Sequence, residues 1–254
     1  GSDGSKTVEL SLAHMRNVLS DPESGITKPA AIIVEAVQGE GGCIPAPIEW
    51  LQGLRALTSE FDIPLIIDEI QTGFGRTGKM FAFEHAGIIP DAILLSKAAG
   101  GGLPISLLLY NEKYDIWGPG AHTGTFRGNQ LAMVAGIEQL RILNEDNLVE
   151  DSHRKGIKLL SQLKKLATKH EIIGDVRGKG LLVGVEINTE HSKNSTEKFH
   201  QENGALAKQI KALCFAKGLI VETGGRYGAV IRFLPALTIP EELLNKAVDI
   251  LDEA

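Results

Sequence analysis

Short apolar runs alternate with helical patterns through the first half of the chain. Apolar residues recur at helical spacing over Val8–Leu19, and a second helix is predicted from Pro47 to Phe61. The remaining apolar runs predict strands at Ala30–Val37, Ile63–Ile67, Ala92–Leu95 and Ile105–Tyr110. Apolar strands separated by helices indicate an α/β fold whose mostly parallel sheet is covered on both faces.

The pattern changes near residue 144. Two helices are predicted first, at Asn129–Leu143 and Glu145–His170. Short strands and helices then follow one another, with strands at Ile172–Val176, Leu181–Ile187, Leu219–Val221 and Val230–Phe233 and helices at Glu197–Lys217 and Pro240–Glu253. This mixture predicts a smaller α+β domain. We therefore divide the chain into a large domain, 1–143, and a small C-terminal domain, 144–254.

Composition narrows the class of protein. Hydrophobic residues make up 43% of the chain and charged residues 23%, as is typical of a globular protein. The net charge of -6 argues against nucleic acid or an anionic membrane as a partner, and no apolar run reaches the roughly 18 residues of a membrane span. Cys43 and Cys214 lie far apart in the sequence, and the histidines do not show the spacing of metal-binding motifs. We therefore predict no disulfide, no metal site and a reducing, cytoplasmic location.

Three polar residues, Glu40, Asp68 and Lys97, follow predicted strands at the end where α/β sheets bind ligands. A lysine amine can form a Schiff base with an aldehyde cofactor, and an aspartate can keep a pyridine nitrogen protonated. Asp68 and Lys97 are 29 residues apart (97 − 68), the span of one β-turn-α-β unit, which would bring both to one pocket. Taken singly, Lys97 also fits a solvated lysine and Asp68 a turn residue.

The stretch IIDEIQTGFGRTG at residues 66–78, followed by Ser-Lys at 96–97, resembles the signature of class III aminotransferases. The match is long, ordered and correctly spaced, and the resemblance extends over residues 8–254. It implies the fold type I architecture and pyridoxal 5'-phosphate (PLP) as cofactor.

By this resemblance, Lys97 is the Schiff-base lysine and proton carrier. Asp68 pairs with the pyridinium nitrogen, and Gln71 contacts the phenolic oxygen of the ring. Thr125 matches the family position that binds the cofactor phosphate of the neighbouring subunit, which implies a homodimer with shared active sites. A hydroxyl before a helix N-terminus suits phosphate, although Thr125 alone also fits a turn residue.

A second stretch, EAVQGEGG at residues 35–42, resembles the family motif whose second glutamate, here Glu40, pairs with a C-terminal arginine that matches Arg232. The planar fork of arginine can grip a carboxylate in two places. The resemblance implies that Arg232 binds Glu40 while an amine substrate enters. It binds the α-carboxylate of 2-oxoglutarate when Glu40 moves away. The alternative is a structural ion pair.

Residues 115–132 and 222–230 resemble the members of the family that take L-2,4-diaminobutyrate as amino donor. Donors such as 4-aminobutyrate or ornithine stay open, because they share the distal amine. A racemase, mutase or decarboxylase could also use Lys97 and Asp68, but an exchanging Glu40–Arg232 pair argues against these. A non-catalytic homologue is expected to have lost Lys97 or Asp68.

The glycine/serine/threonine phosphate loop of the family, and the aromatic residue that stacks on the cofactor, are expected before Gly1. We therefore expect the chain to be the C-terminal part of a longer enzyme and to be inactive by itself. The polar residues Gly1–Lys6 fit a cut end.

Overall fold

The computed structural model describes residues 4–188 and 197–254. The chain forms two compact units. The first combines the residues up to Ala36 with Ala46–Gly73 and Ala82–Arg141, and the second combines Val37–Pro45, Phe74–Phe81 and Ile142–Ala254. We keep the domain boundary between residues 143 and 144 as a proposal.

The helices are, in chain order, α1 (Gly4–Ser20), α2 (Ile48–Glu60), α3 (Gln130–Glu145), α4 (Leu148–Ala167), α5 (Glu197–Ala216) and α6 (Glu241–Glu253). The strands are β1 (Ile32–Val34), β2 (Val37–Gln38), β3 (Ile44–Pro45), β4 (Leu65–Asp68), β5 (Ala92–Leu95), β6 (Leu107–Tyr110), β7 (Ile173–Lys179), β8 (Leu182–Ile187), β9 (Glu222–Gly224) and β10 (Val230–Phe233). No helix in the described part of the chain combines the length and the apolar character needed to cross a membrane.

The sheet of the first unit has the strand order β1-β4-β5-β6. β1, β4 and β5 run parallel, and β6 closes the edge antiparallel to β5. The predicted mostly parallel sheet is therefore confirmed. The run Ala30–Val37 is not one strand, however, because the carbonyl of Ala36 accepts a hydrogen bond from Ala46 and β2 then pairs with β3 in a separate ribbon.

The sheet of the second unit is antiparallel, with the order β7-β8-β10-β9. Buried leucines of α4 and α6 form a core with the buried side chains of β8 and β10, among them Val185 and Ile231. The strand predicted at Leu219–Val221 is wrong. The amide of Leu219 bonds to the carbonyl of Cys214 at the end of α5, and pairing with β10 begins only at Glu222.

Candidate active site

Asp68 and Lys97 leave the first sheet at the same edge. Asp68 is the last residue of β4 and lies in register with Leu94 of β5. β5 ends at Leu95, and Lys97 begins the short 3-10 helix Lys97–Gly100. Because β4 and β5 are parallel, the structure brings these two predicted site residues to neighbouring strand ends, where ligands of such sheets bind.

The carboxylate of Asp68 is half-buried and only partly used by the protein. Oδ1 accepts a hydrogen bond of 2.9 Å from the amide of Ile70. Within the described ranges, Oδ2 has no protein donor. One carboxylate oxygen is thus held in place, while the other can accept a hydrogen bond from a protonated ring nitrogen.

Lys97 is exposed, at the start of the turn that follows β5. Its backbone lies in the left-handed region with φ +44°. Such a conformation is costly for a residue with a side chain, and strained residues of this kind cluster at functional sites. Among the described residues, no carboxylate forms an ion pair with Lys97.

Gln71 and Thr125 lie in loops. Gln71 is half-buried in the turn that follows β4. Thr125 is exposed inside a turn that the Arg127 amide closes onto the carbonyl of Gly124 at 3.1 Å. The N-terminus of α3 is capped by the side chain of Asn129, which accepts from the amide of Leu131. The hydroxyl of Thr125 therefore precedes this helix without capping it.

The second unit holds the pair that the sequence predicts between Glu40 and Arg232. Nη2 of Arg232 donates to Oε1 of Glu40 at 2.8 Å. The two partners differ in setting, since the side chain of Arg232 is 5% exposed and that of Glu40 is 70% exposed. Nε and Nη1 of Arg232 are buried without a hydrogen-bond partner among the described residues. Leaving buried donors unpaired is costly, so this arginine is suited to a further acceptor.

Two glycines shape the surroundings of Arg232. A Cβ on Gly224 would lie 2.7 Å from Nε of Arg232, so only glycine leaves room for the guanidinium. The next residue, Gly225, donates its amide to the carbonyl of Glu40 at 2.7 Å. The backbone of Glu40 is thereby fixed while its side chain reaches into solvent.

Glu69 is a buried carboxylate that the sequence reasoning missed. Its oxygens accept from the hydroxyl of Thr72 and from the amides of Ala82 and Phe83, both at 3.0 Å. Burial raises the pKa of Glu69, and these hydrogen bonds oppose the rise. Glu69 thus ties the turn containing Gln71 to the end of β4. Its signal was a second acidic residue directly after Asp68 in an otherwise apolar stretch.

Cys43 is buried beside Arg232 and Arg177 in the second unit. Burial raises the pKa of its thiol to about 11, although both arginines lower it. A thiol with so high a pKa is protonated at neutral pH and is a weak nucleophile. We therefore assign Cys43 to packing.

The chain is similar in sequence to known aminotransferases. The model of the family described as Aminotransferase class-III matches residues 7–254. A diaminobutyrate–2-oxoglutarate aminotransferase of Rhizobium meliloti is 47% identical over 97% of this chain and 52% of its own length. The protein of the same name from Haemophilus influenzae is 45% identical over 94% of this chain and 52% of its own length. The chain thus spans about half the length of these curated relatives.

Solved structures with the same fold are also aminotransferases. An ornithine aminotransferase of Plasmodium yoelii superposes with a TM-score of 0.81 at 33% identity, covering 95% of this chain and 59% of that one. An acetylornithine aminotransferase of Elizabethkingia anophelis superposes with a TM-score of 0.82 at 33% identity, covering 95% of this chain and 57% of that one.

Proposed function

Because the chain belongs to the class III aminotransferase family, we propose that it carries the catalytic lysine of a PLP-dependent aminotransferase. The proposed reaction moves the 4-amino group of L-2,4-diaminobutyrate to 2-oxoglutarate and gives L-aspartate 4-semialdehyde and L-glutamate. The choice of donor is supported by the names of the relatives at 47% and 45% identity. Ornithine and 4-aminobutyrate are the alternative donors, and direct comparison of the three amines distinguishes them.

The observation that carries the proposal is the unequal burial of Glu40 and Arg232. A buried guanidinium with two spare N–H donors, paired with an exposed carboxylate, suits two alternating substrates. With Glu40 in place, the charge of Arg232 is neutralised and an amine can approach. With Glu40 turned away, Arg232 can bind the carboxylate of the acceptor in two places.

The residues at the sheet edge fit PLP. When bound, this cofactor withdraws electrons from the substrate carbon that carries the amine. Oδ2 of Asp68 is available to the protonated ring nitrogen, and its negative charge favours that proton. Nζ of Lys97 would hold the cofactor covalently and, when released from it, carry a proton. We assign Gln71 to the phenolic oxygen of the ring.

We also propose a homodimer in the cytoplasm, with Thr125 contributing to the cofactor phosphate site of the partner subunit. Support comes from the apolar surface around Thr125. Phe126 is 94% exposed and Ile116 is 88% exposed, and α3 adds exposed Leu131. Large exposed apolar side chains of this kind are typical of an interface between proteins.

The Arg232→Ala variant tests the function in the full-length, PLP-loaded enzyme, because this chain is expected to be inactive by itself. Single-turnover rates of the two half-reactions should separate, because only the 2-oxoglutarate half needs the guanidinium as a carboxylate ligand. Losing such a buried charged contact typically costs about 2–5 kcal/mol. Arg154→Ala, which removes an exposed arginine of α4, is the matched control and should change neither rate. Equal losses in both half-reactions of Arg232→Ala would reduce the pair to a structural role.

A further inference from the structure

Two arginines of the second sheet flank a glycine in one cross-strand row. Gly184 of β8 lies in register with Arg177 of β7 on one side and with Arg232 of β10 on the other. Residues directly opposite each other in a sheet project from the same face. Arg177 and Arg232 therefore stand on one face with a gap between them, where Gly184 has no side chain.

The loop that carries Glu40, residues 39–43 between β2 and β3, fills this gap. A Cβ on Gly184 would lie 3.0 Å from the carbonyl oxygen of Gly42 and 3.1 Å from Cβ of Cys43. The arginines hold the two ends of the loop. Arg177 donates from Nε to the carbonyl of Gly42 at 2.9 Å, and Arg232 donates to the carboxylate of Glu40 at 2.8 Å.

The two arginines differ in how far their own charge is satisfied. Nη1 of Arg177 donates to Asp175 at 2.9 Å and also to Glu186. Its side chain is 17% exposed, and the two carboxylates leave it little attraction for a third. Arg232 has one carboxylate partner and two unused donors. Arg177 is thus suited to binding the backbone carbonyl of Gly42 permanently, whereas Arg232 is suited to exchanging one carboxylate ligand for another.

We propose that Arg177 is a positioning residue that fixes the loop so that Glu40 competes with carboxylate substrates for Arg232. This inference rests on the proposed function, because it concerns the exchange at Arg232. Arg177 acts through the carbonyl of Gly42. Its bond shortens the search of the Glu40 carboxylate for Arg232, since a loop fixed at both ends keeps that side chain within reach.

The proposal predicts an effect opposite in sign to general damage. Glu40 and a substrate carboxylate compete for the same guanidinium, so loosening the loop weakens the internal competitor. A dicarboxylate should then bind more tightly, by about threefold to tenfold, the equivalent of one hydrogen bond of ordinary net strength. A variant that merely disturbs the fold should bind the dicarboxylate less tightly.

The test uses glutarate, an unreactive dicarboxylate, and calorimetric titration of the purified full-length enzyme. Arg177→Gln removes the charge, and Arg177→Lys keeps it but lacks the fork that bonds Gly42 and both carboxylates together. Both variants should bind glutarate more tightly than the parent, with KM for 2-oxoglutarate lowered and KM for the amine raised. Arg154→Gln is the matched control, because Arg154 also holds two carboxylates, Asp151 and Glu241, without contacting the loop.

The outcomes separate this inference from the proposed function. If glutarate binding is unaffected by Arg232→Lys, the proposed function fails. If binding depends on Arg232 but the Arg177 variants match Arg154→Gln or bind glutarate more weakly, the inference on Arg177 is overturned. If the variants fold poorly, a measurement on the unaltered protein still tests the inference. The amide of Gly225 donates to the carbonyl of Glu40, and its hydrogen exchange should stay slow when glutarate saturates Arg232. Faster exchange would contradict a fixed loop.

Discussion

At the scale of single residues, Asp68 combines two tasks in one carboxylate. Oδ1 closes a turn by accepting from the Ile70 amide at 2.9 Å, and we assign Oδ2 to the ring nitrogen of PLP. Asparagine keeps an oxygen for the turn but loses the negative charge. Asp68→Asn should therefore fold normally while its kcat falls. The lost transition-state stabilisation should be several kcal/mol, about the size of other electrostatic contributions to catalysis.

Asp21→Asn is a matched control for this prediction. Asp21 Oδ1 accepts from the amide of Glu23 at 2.9 Å, so it makes the same turn contact, but it lies exposed after α1. Steady-state kinetics and thermal unfolding of both variants separate the charge from the turn. Wild-type turnover by Asp68→Asn would remove Asp68 from the mechanism.

At the scale of elements, α4 and α6 are joined by ion pairs on their surface. Glu241 at the start of α6 forms ion pairs with two residues of α4. Its Oε2 lies 2.6 Å from Nη1 of Arg154, and its Oε1 pairs with Nζ of Lys158. Lys158 and then Arg154 lower the pKa of Glu241 from 4.5 to about 2. Because the carboxylate of Glu241 has a lower pKa in the folded protein than in the unfolded chain, these pairs stabilise the folded protein above about pH 4.5. That stabilisation is lost as the pH falls towards about 2.

Glu241→Gln should therefore make the unfolding temperature less dependent on pH between about 4.5 and 2. The change should be modest, since exposed ion pairs contribute little. Glu242→Gln is the control, because Glu242 is an exposed neighbour in the same helical turn without an ion pair in the part of the chain that the structure describes. Parallel curves for the two variants would contradict the role of Glu241.

Local pattern predicted most elements, and long-range pairing decided the others. β5 and β10 have the predicted bounds, because each is a mainly apolar segment buried in its sheet, with Arg232 the one charged residue of β10. β9 was misplaced, because its residues Glu222–Gly224 are polar or small and become a strand only by pairing with β10. Local sequence does not contain that register. The row of Arg177, Gly184 and Arg232 could not be read from the sequence for the same reason.

The candidate site was predictable to the extent that its residues end strands or match a motif. Asp68 and Lys97 were found because both follow apolar strands. The burial of Glu69 was missed, since its three donors come from Thr72, Ala82 and Phe83, up to fourteen residues further along the chain. Lys97 is exposed and has a positive φ, and residue type alone dictates neither.

At the scale of the whole molecule, the apolar surface of α3 and the preceding loop should determine assembly. Phe126→Asp places a charge at the most exposed aromatic residue beside Thr125. If a second copy covers this surface, the variant should shift the dimer towards monomer in sedimentation and lose PLP affinity with it. Phe215→Asp, on the exposed face of α5, is the control and should leave sedimentation unchanged. An undisturbed dimer in Phe126→Asp would place the interface elsewhere.

The backbone around Glu40 is tied at two carbonyls, its own by Gly225 and that of Gly42 by Arg177. Its exposed side chain can therefore leave Arg232 by rotamer changes alone, which take picoseconds to nanoseconds, whereas loop motions extend into microseconds. Enzymes commonly turn over about ten times per second. On that clock, the proposed exchange at Arg232 is at equilibrium throughout each catalytic cycle. We therefore expect it to select substrates by affinity and to leave the turnover rate to slower events.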